Sequence, residues 1–278
     1  MAGNIADLRS PIGLLSGNGD FPLEFARRAN AQGLEVVAVG YRGETSPELK
    51  ELSNSFHLIR IGQLAKAIKI FKANHVQQIC ILGGIKRFKL FGGVRLDWRA
   101  VRTIARAKSF HDDALLRSIA YEFESCGFEI IAASTLLGDF LARTGQMTRA
   151  ALSIQQQSDA KIGWKAAKRL GELDIGQTVV VHNGLVVAVE ASEGTDGVIQ
   201  RAGSLNANGA VVVKVAKPQQ DPRLDLPSVG PETIEAMSKA GLSALVLEHE
   251  SAQILRPQYF VELANKLGIA VEVFSELD

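Results

Sequence analysis

From residue 11 to about residue 134 the chain alternates short branched runs with helical stripes, and this alternation restricts the fold more than any other feature. PIGLLSG, LEVVAVG and FHLIRIG read as strands, as does QICILGG, which is short, apolar and stopped by two glycines. Between them FPLEFARRANAQG reads as a helix ended by glycine, and LAKAIKIFKANH as one with Leu64, Ile68 and Phe71 along a stripe. A helix over 113–126 precedes a last strand, FEIIAAS. Strands that alternate with helices belong in a parallel sheet with right-handed crossovers. The expected fold class is therefore α/β, with a Rossmann-like open parallel sheet over residues 1–145.

The pattern weakens in ARTGQMTRAALSIQQQS, so 146–157 is expected as a linker and 158–278 as a second α/β domain with a mixed sheet and helices. In that half, helices are expected over 158–171, 231–240 and 257–267, and AVVVKVA, SALVLE and IAVEVF as strands. TVVVHNGLVVAVE is a hairpin, because Asn183-Gly184 between two apolar runs suits a type I′ turn with two positive φ angles. There is no internal repeat. A length of 278 residues, 46% of them apolar and 22% charged, suffices for two cores.

A net charge of +1 gives no global field that would draw nucleic acid. Cys80 and Cys126 read as plain thiols of a reducing cytoplasm rather than as a disulfide. The opening GNIADLRS lacks the apolar core of a signal peptide, and no apolar run approaches the roughly 18 residues that span a bilayer. A soluble chain is expected, which leaves a lipid substrate open.

Gly17-Asn18-Gly19 follows the first strand, where an open α/β sheet binds ligands and helix amides face an anion. Pro22 stands where a third glycine of GxGxxG would fall, which argues against a dinucleotide enzyme, the alternative reading of this half. Tight turns need glycine in any case, and the same two readings apply to Gly83-Gly84. Lys86 to Lys108 holds eight Lys or Arg and one acid, with Phe88, Phe91 and Trp98 interleaved. That suits an anionic membrane surface or nucleic acid, against a solvated helix face whose aromatics pack inward. Asp112 and Asp113 open a helix, where one caps and the other is available to a magnesium ion. Glu190 ends the second hairpin strand, and EGTD at 193–196 follows in a loop able to hold metal or hydroxyl groups, against ordinary turn chemistry.

The stretch KVAKPQQDPRLDLPSVG, 214–230, sets two lysines, an arginine and two aspartates among Pro218, Pro222 and Pro227. Proline fixes φ, and Asp225, expected to be partly desolvated between Leu224 and Leu226, is a candidate general base or metal ligand; the bland reading is a salt-bridged loop.

These pieces occur in one order: GNGDFP, GGIKR, DDALLR, DIGQ, GLVVAVEA, EGTD, KP at 217–218 and RLDLPSVG. From about residue 11 to its C-terminus the chain resembles the LpxI-type UDP-2,3-diacylglucosamine pyrophosphohydrolases of lipid A biosynthesis. The resemblance implies a cytoplasmic, Mg²⁺-dependent hydrolase with two α/β domains, peripherally associated with the inner membrane. It implies that water attacks the α-phosphorus, giving UMP and 2,3-diacylglucosamine 1-phosphate. It implies that Asp225, in the RxDLPxxG motif, is the essential aspartate. His111 departs from the pattern, which has glycine there. The candidate substrate contacts are then Gly17, Asn18, Gly19, Gly83, Gly84, Lys86, Arg87, Thr195, Lys214, Lys217 and Arg223. The candidate metal ligands are Asp112, Asp113, Glu190, Asp196 and Asp225. The expected partners are a glycolipid nucleotide, the inner-leaflet surface and a second copy of the chain as a homodimer, with no nucleic acid.

Overall fold

The computed structural model describes residues 4–85, 96–107 and 112–277. The chain forms two compact units: Met1–Asp139 with Asp221–Asp225, and Phe140–Gln220 with Leu226–Asp278.

The first unit is built on five parallel strands, β1 (Ile12–Ser16), β2 (Val36–Tyr41), β3 (Ser55–Ile59), β4 (Gln78–Leu82) and β5 (Glu129–Ile130), in the order β3-β2-β1-β4-β5. All of β1 is buried, as the continuous apolar run of a sheet covered on both faces requires. The helices are α1 (Phe21–Ala31), α2 (Leu64–Ala73), α3 (Trp98–Ala107) and α4 (Asp112–Glu124). Phe71 of α2, Phe123 of α4 and Phe128 meet edge to face, with ring centroids 5.9–6.2 Å apart. Cys80 is buried and Cys126 half-buried, and both are free thiols.

The second unit carries β6 (Gly145–Gln146), β7 (Thr178–His182), β8 (Leu185–Val189), β9 (Val211–Lys214), β10 (Ser228–Val229), β11 (Ala244–Glu248), β12 (Gln253–Ile254) and β13 (Ala270–Phe274). Six of them form a mixed sheet in the order β6-β13-β11-β9-β7-β8, while β10 and β12 pair separately. The helices are α5 (Ile154–Glu172), α6 (Gly194–Ser204), α7 (Pro231–Lys239) and α8 (Pro257–Lys266). Strand alternation sorts the core: Val179, Val181, Val211 and Val213 pack with Trp164 of α5. Val180, Val212, Leu245 and Leu247 pack with Ile199, Ile234 and Phe260 of the other three helices.

Two local expectations differ from the structure. The stretch 146–157 lies inside the second unit, where α5 begins at Ile154, four residues ahead of the helix the sequence suggests. Ser153 and Gln156 close a capping box there, a start signal hidden in a polar glutamine run. EGTD is not a loop: Gly194 to Asp196 form the first turn of α6. The helix is glycine-rich, and glycine lowers local helix propensity, so packing of Val198, Ile199 and Ala202 makes the helix instead.

The Asn183-Gly184 turn is as expected, with φ of 49° and 82°. The carboxylate of Asp159, buried on α5, accepts from both turn amides, Asn183 N at 2.9 Å and Gly184 N at 2.8 Å. We expect Asp159→Asn to turn one acceptor into a donor facing an amide and to cost about 1–3 kcal/mol. A lowered thermal midpoint by circular dichroism, with the native spectrum kept at 20 °C, is the check.

Candidate functional site

In the first unit β1 leads towards β2 and β3, whereas β4 and β5 lie on its other side, so β1 and β4 flank the switch point of the sheet. Five predicted contacts gather at their carboxyl ends. Gly17 N donates to Leu82 O at 2.9 Å and Asn18 N to Gly84 O at 2.7 Å. A Cβ on Gly17 would stand 2.2 Å from Gly84 O, so backbone packing alone demands glycine here. Asn18 donates from Nδ2 to Glu44 Oε2 at 3.0 Å, and Thr45 Oγ1 donates to Ser16 O at 2.6 Å. Sequence reasoning passed over Glu44 and Thr45. The available signal was an acid just beyond the second strand, where dinucleotide sites place their ribose ligand. Lys86, Arg87 and His111 lie outside the described residues, as do Phe88 and Phe91.

In the second unit Glu190, Thr195 and Lys214 converge, although they come separately from just past β8, from α6 and from β9. Lys214 is buried at the end of β9, and its Nζ donates to Thr195 Oγ1 at 2.9 Å and Ser228 O at 2.7 Å. Thr195 Oγ1 in turn donates to the buried Glu190 at 3.2 Å, and Glu190 also accepts from Gln177 N at 3.2 Å. The hydroxyl thus bridges the buried Lys214 and the buried Glu190, giving each a hydrogen-bond partner away from water. Thr178, 3.4 Å from Thr195, and the Ser228 carbonyl complete the cluster and were not anticipated. Asp196 is exposed on α6. Lys217 pairs with Asp174 of DIGQ. The neighbouring Ala216 is held at its amide by Glu248 (2.7 Å) and at its carbonyl by Lys168 (3.1 Å).

Asp225 lies in the first unit, on a turn whose amides at Leu224 and Asp225 donate to Asp221 O at 2.9 and 3.2 Å. Asp225 is exposed rather than partly desolvated by its leucine neighbours, because Leu224 turns away into that unit's core and Leu226 is only half-buried. Arg223 donates from Nη2 to Asp221 Oδ2 at 2.8 Å and from Nη1 to Glu124 Oε1 at 3.0 Å.

Among the described residues no three His, Cys, Asp or Glu side chains gather as a metal cage. Of the candidate ligands, Asp113 and Asp225 belong to the first unit and Glu190 and Asp196 to the second. Asp113 is buried and pairs with Arg117 at 2.9 Å, and of the Asp112 side chain the structure gives no description. An exposed carboxylate fits an ion of the magnesium type, which takes oxygen ligands, keeps several waters and relies on substrate phosphate.

On α3 the inward residues are small, Ala100 and Thr103, while Trp98 is 61% exposed and Val101 52%. The solvated-face reading, with aromatics turned inward, therefore fails for Trp98. Arg99 pairs with the buried Glu122, and Arg106 stacks over Tyr121 at 4.2 Å. Among the described residues no helix is long and apolar enough to cross a membrane. A cavity of about 420 Å³ lies between α6 and α7, lined by Gln200, Ser204, Asn208 and Lys239 and by none of the predicted site residues.

Burial raises the cost of charging Asp221, but its bonds to Arg223 dominate and hold its carboxyl below the usual range. A depressed native pKa contributes stability that is complete above the unfolded value of about 3.9 and is lost as pH falls through the native one. The stability gap between wild type and Asp221→Asn should thus stay constant from pH 8 to 5 and close below about pH 4. Urea midpoints across that range measure it.

Two family profiles match the chain in sequence order, the LpxI N-terminal domain over residues 11–140 and the LpxI C-terminal domain over 143–272. The UDP-2,3-diacylglucosamine pyrophosphatase LpxI of Caulobacter vibrioides is 31% identical over 271 residues, covering 94% of this chain and 96% of that protein. Among solved structures, the biotin carboxylase subunit of pyruvate carboxylase is 11% identical with a TM-score of 0.28. The biotin carboxylase domain of a thermophilic 2-oxoglutarate carboxylase is 10% identical, also with a TM-score of 0.28. The matches cover 72% and 73% of this chain but only 42% and 43% of those chains, and a likeness of that size carries no argument.

Proposed function

Because the chain belongs to the LpxI family of UDP-2,3-diacylglucosamine pyrophosphatases, we propose that it hydrolyses that glycolipid's pyrophosphate by water attack on the α-phosphorus. It is an enzyme, a hydrolase of lipid A synthesis. The observation that carries the reading is the pair of domain profiles, which match consecutively over 11–140 and 143–272.

The chemistry asks for few groups. A pyrophosphate diester is doubly anionic and repels an incoming oxygen, so catalysis rests on cations around the phosphates and on a positioned water. Asp225 takes the proton from that water as its oxygen bonds to the α-phosphorus. The bond from the α-phosphorus to the bridging oxygen breaks, and the products are UMP and 2,3-diacylglucosamine 1-phosphate. The proline-flanked turn supports this role, since a base must hold its direction towards the water it deprotonates. Magnesium, held by Asp225 and the substrate's own phosphates, would supply charge neutralisation there. The strand-end turns around Gly17 and Gly83, in the unit that carries Asp225, suit the nucleotide.

The acyl chains make the substrate membrane-borne, and the outward face of α3 is the surface we assign to an anionic inner leaflet. Trp98 and Val101 offer apolar area beside Leu96, and the exposed Arg102 adds a cation, each such charge being worth about 1 kcal/mol near an anionic surface.

Asp225→Ala should lower kcat by at least about a hundredfold while the far-UV spectrum stays native. In ¹⁸O water the label should appear in UMP; label in the sugar phosphate instead would mean attack on the other phosphorus. On vesicles of phosphatidylglycerol and phosphatidylethanolamine, Trp98→Ala/Arg102→Glu should sediment several-fold less than wild type, and equal sedimentation would remove α3 from the membrane contact.

A further inference from the structure

We infer that Arg223 acts as a positioning residue for Asp225, clamping its turn to α4 through Asp221 and Glu124, and is not a phosphate ligand. The inference deepens the hydrolase reading and rests on it. Proximity in sequence makes Arg223 look like a substrate cation, but the geometry points elsewhere. Its Nε and Nη2 edge faces Asp221, with Nε 3.1 and 3.2 Å from the two carboxylate oxygens, and its Nη1 reaches Glu124. Two carboxylates therefore already match its single charge.

Helix α4 is built to receive this turn. Arg117 and Glu124 lie seven residues apart, two turns along one helix face. Glu124 meets Arg223, and Arg117 is near enough to Asp221 for its charge to favour the carboxylate. Arg117 is itself held by Asp113 at 2.9 Å, and the turn meets α4 through the pairing of Arg223 with Glu124. Leu224 drops into the core that contains Phe71, Phe123 and Phe128, which pins the turn from below. Asp221 also accepts from Arg223 N at 3.0 Å, so one side chain holds the turn at both backbone and guanidinium. The chain on either side, through Gln220 and from Leu226, belongs to the second unit, and only these five residues join the first. An aspartate that must aim at a reacting water needs such a mount, because a displacement near 1 Å can cost about a hundredfold in rate.

The test uses full-length wild type, Glu124→Gln, Arg223→Lys, Arg223→Gln and the Glu124→Gln/Arg223→Lys double variant. Turnover is measured on UDP-2,3-diacylglucosamine in detergent micelles, and hydrogen–deuterium exchange on the peptide spanning 221–228. The inference expects Glu124→Gln to lower kcat about tenfold with KM within twofold, and exchange in 221–228 to rise at least fivefold. Arg223→Lys should keep more activity than Arg223→Gln, and the double variant should be no worse than its worse parent, the signature of residues acting as a unit. Wild-type kcat in Glu124→Gln, or multiplicative losses in the double variant, would overturn it. So would a tenfold rise in KM for Arg223→Lys with exchange unchanged, since that describes a substrate contact. If wild type itself fails to cleave the substrate, the hydrolase reading falls and takes the catalytic role of the clamp with it. The exchange arm separates the two failures, because unchanged exchange in Glu124→Gln and Arg223→Gln refutes the clamp alone.

Discussion

Val179, Val180 and Val181 are consecutive on β7 and none has any solvent exposure, so side chains on both faces of that strand are enclosed. Helices cover both faces of its sheet, and β1 is enclosed in the same way in the other unit. A strand buried on both faces has no room for a polar side chain along its middle, because an unpaired polar group there costs several kcal/mol. Polar groups are therefore pushed to the strand ends and to the turns that follow. Lys214 and Glu190 occur at or just past the ends of β9 and β8, and Asn18 and Gly84 just past β1 and β4.

Once charges collect at those ends, each has to be matched. Lys217 is met by Asp174, Lys168 by Glu248, and Arg223 by Asp221 and Glu124. Lys214 reaches Glu190 through the Thr195 hydroxyl. Cations that the bare sequence offers to a phosphate are in several cases already engaged with protein carboxylates. Their effect is then exerted through the loops they hold: the segment after β9, and the turn that carries Asp225. Mounting of this kind, with packed and hydrogen-bonded support behind a reactive group, is what keeps a site at working geometry.

Much of this was legible beforehand, for reasons that can be named. The alternation of branched runs and stripes reported a sheet with both faces covered, and Asn183-Gly184 reported its turn through two positive φ angles. Other parts were concealed by chemistry that local rules misread. The glycines of α6 made a helix look like a loop, and the glutamines after Ser153 made a capped helix start look like a linker. Glu44 was passed over because its partner, Asn18, lies 26 residues away.

What the amino-acid order determined by itself is local and periodic: which runs are strands, which stripes are helices, where φ must be positive, and that Asp225 sits between prolines in a charged segment. Tertiary structure alone decided the company each charge keeps. Arg223 stands two residues from Asp225 in sequence yet meets Glu124, 99 residues away, while Lys214 finds Thr195 and Glu190 on two other elements. Pairings of that range depend on strand order and helix packing, and the energy selecting them comes from burying Leu224 and the valines of the sheet, whose apolar character says nothing about which charges will end up adjacent.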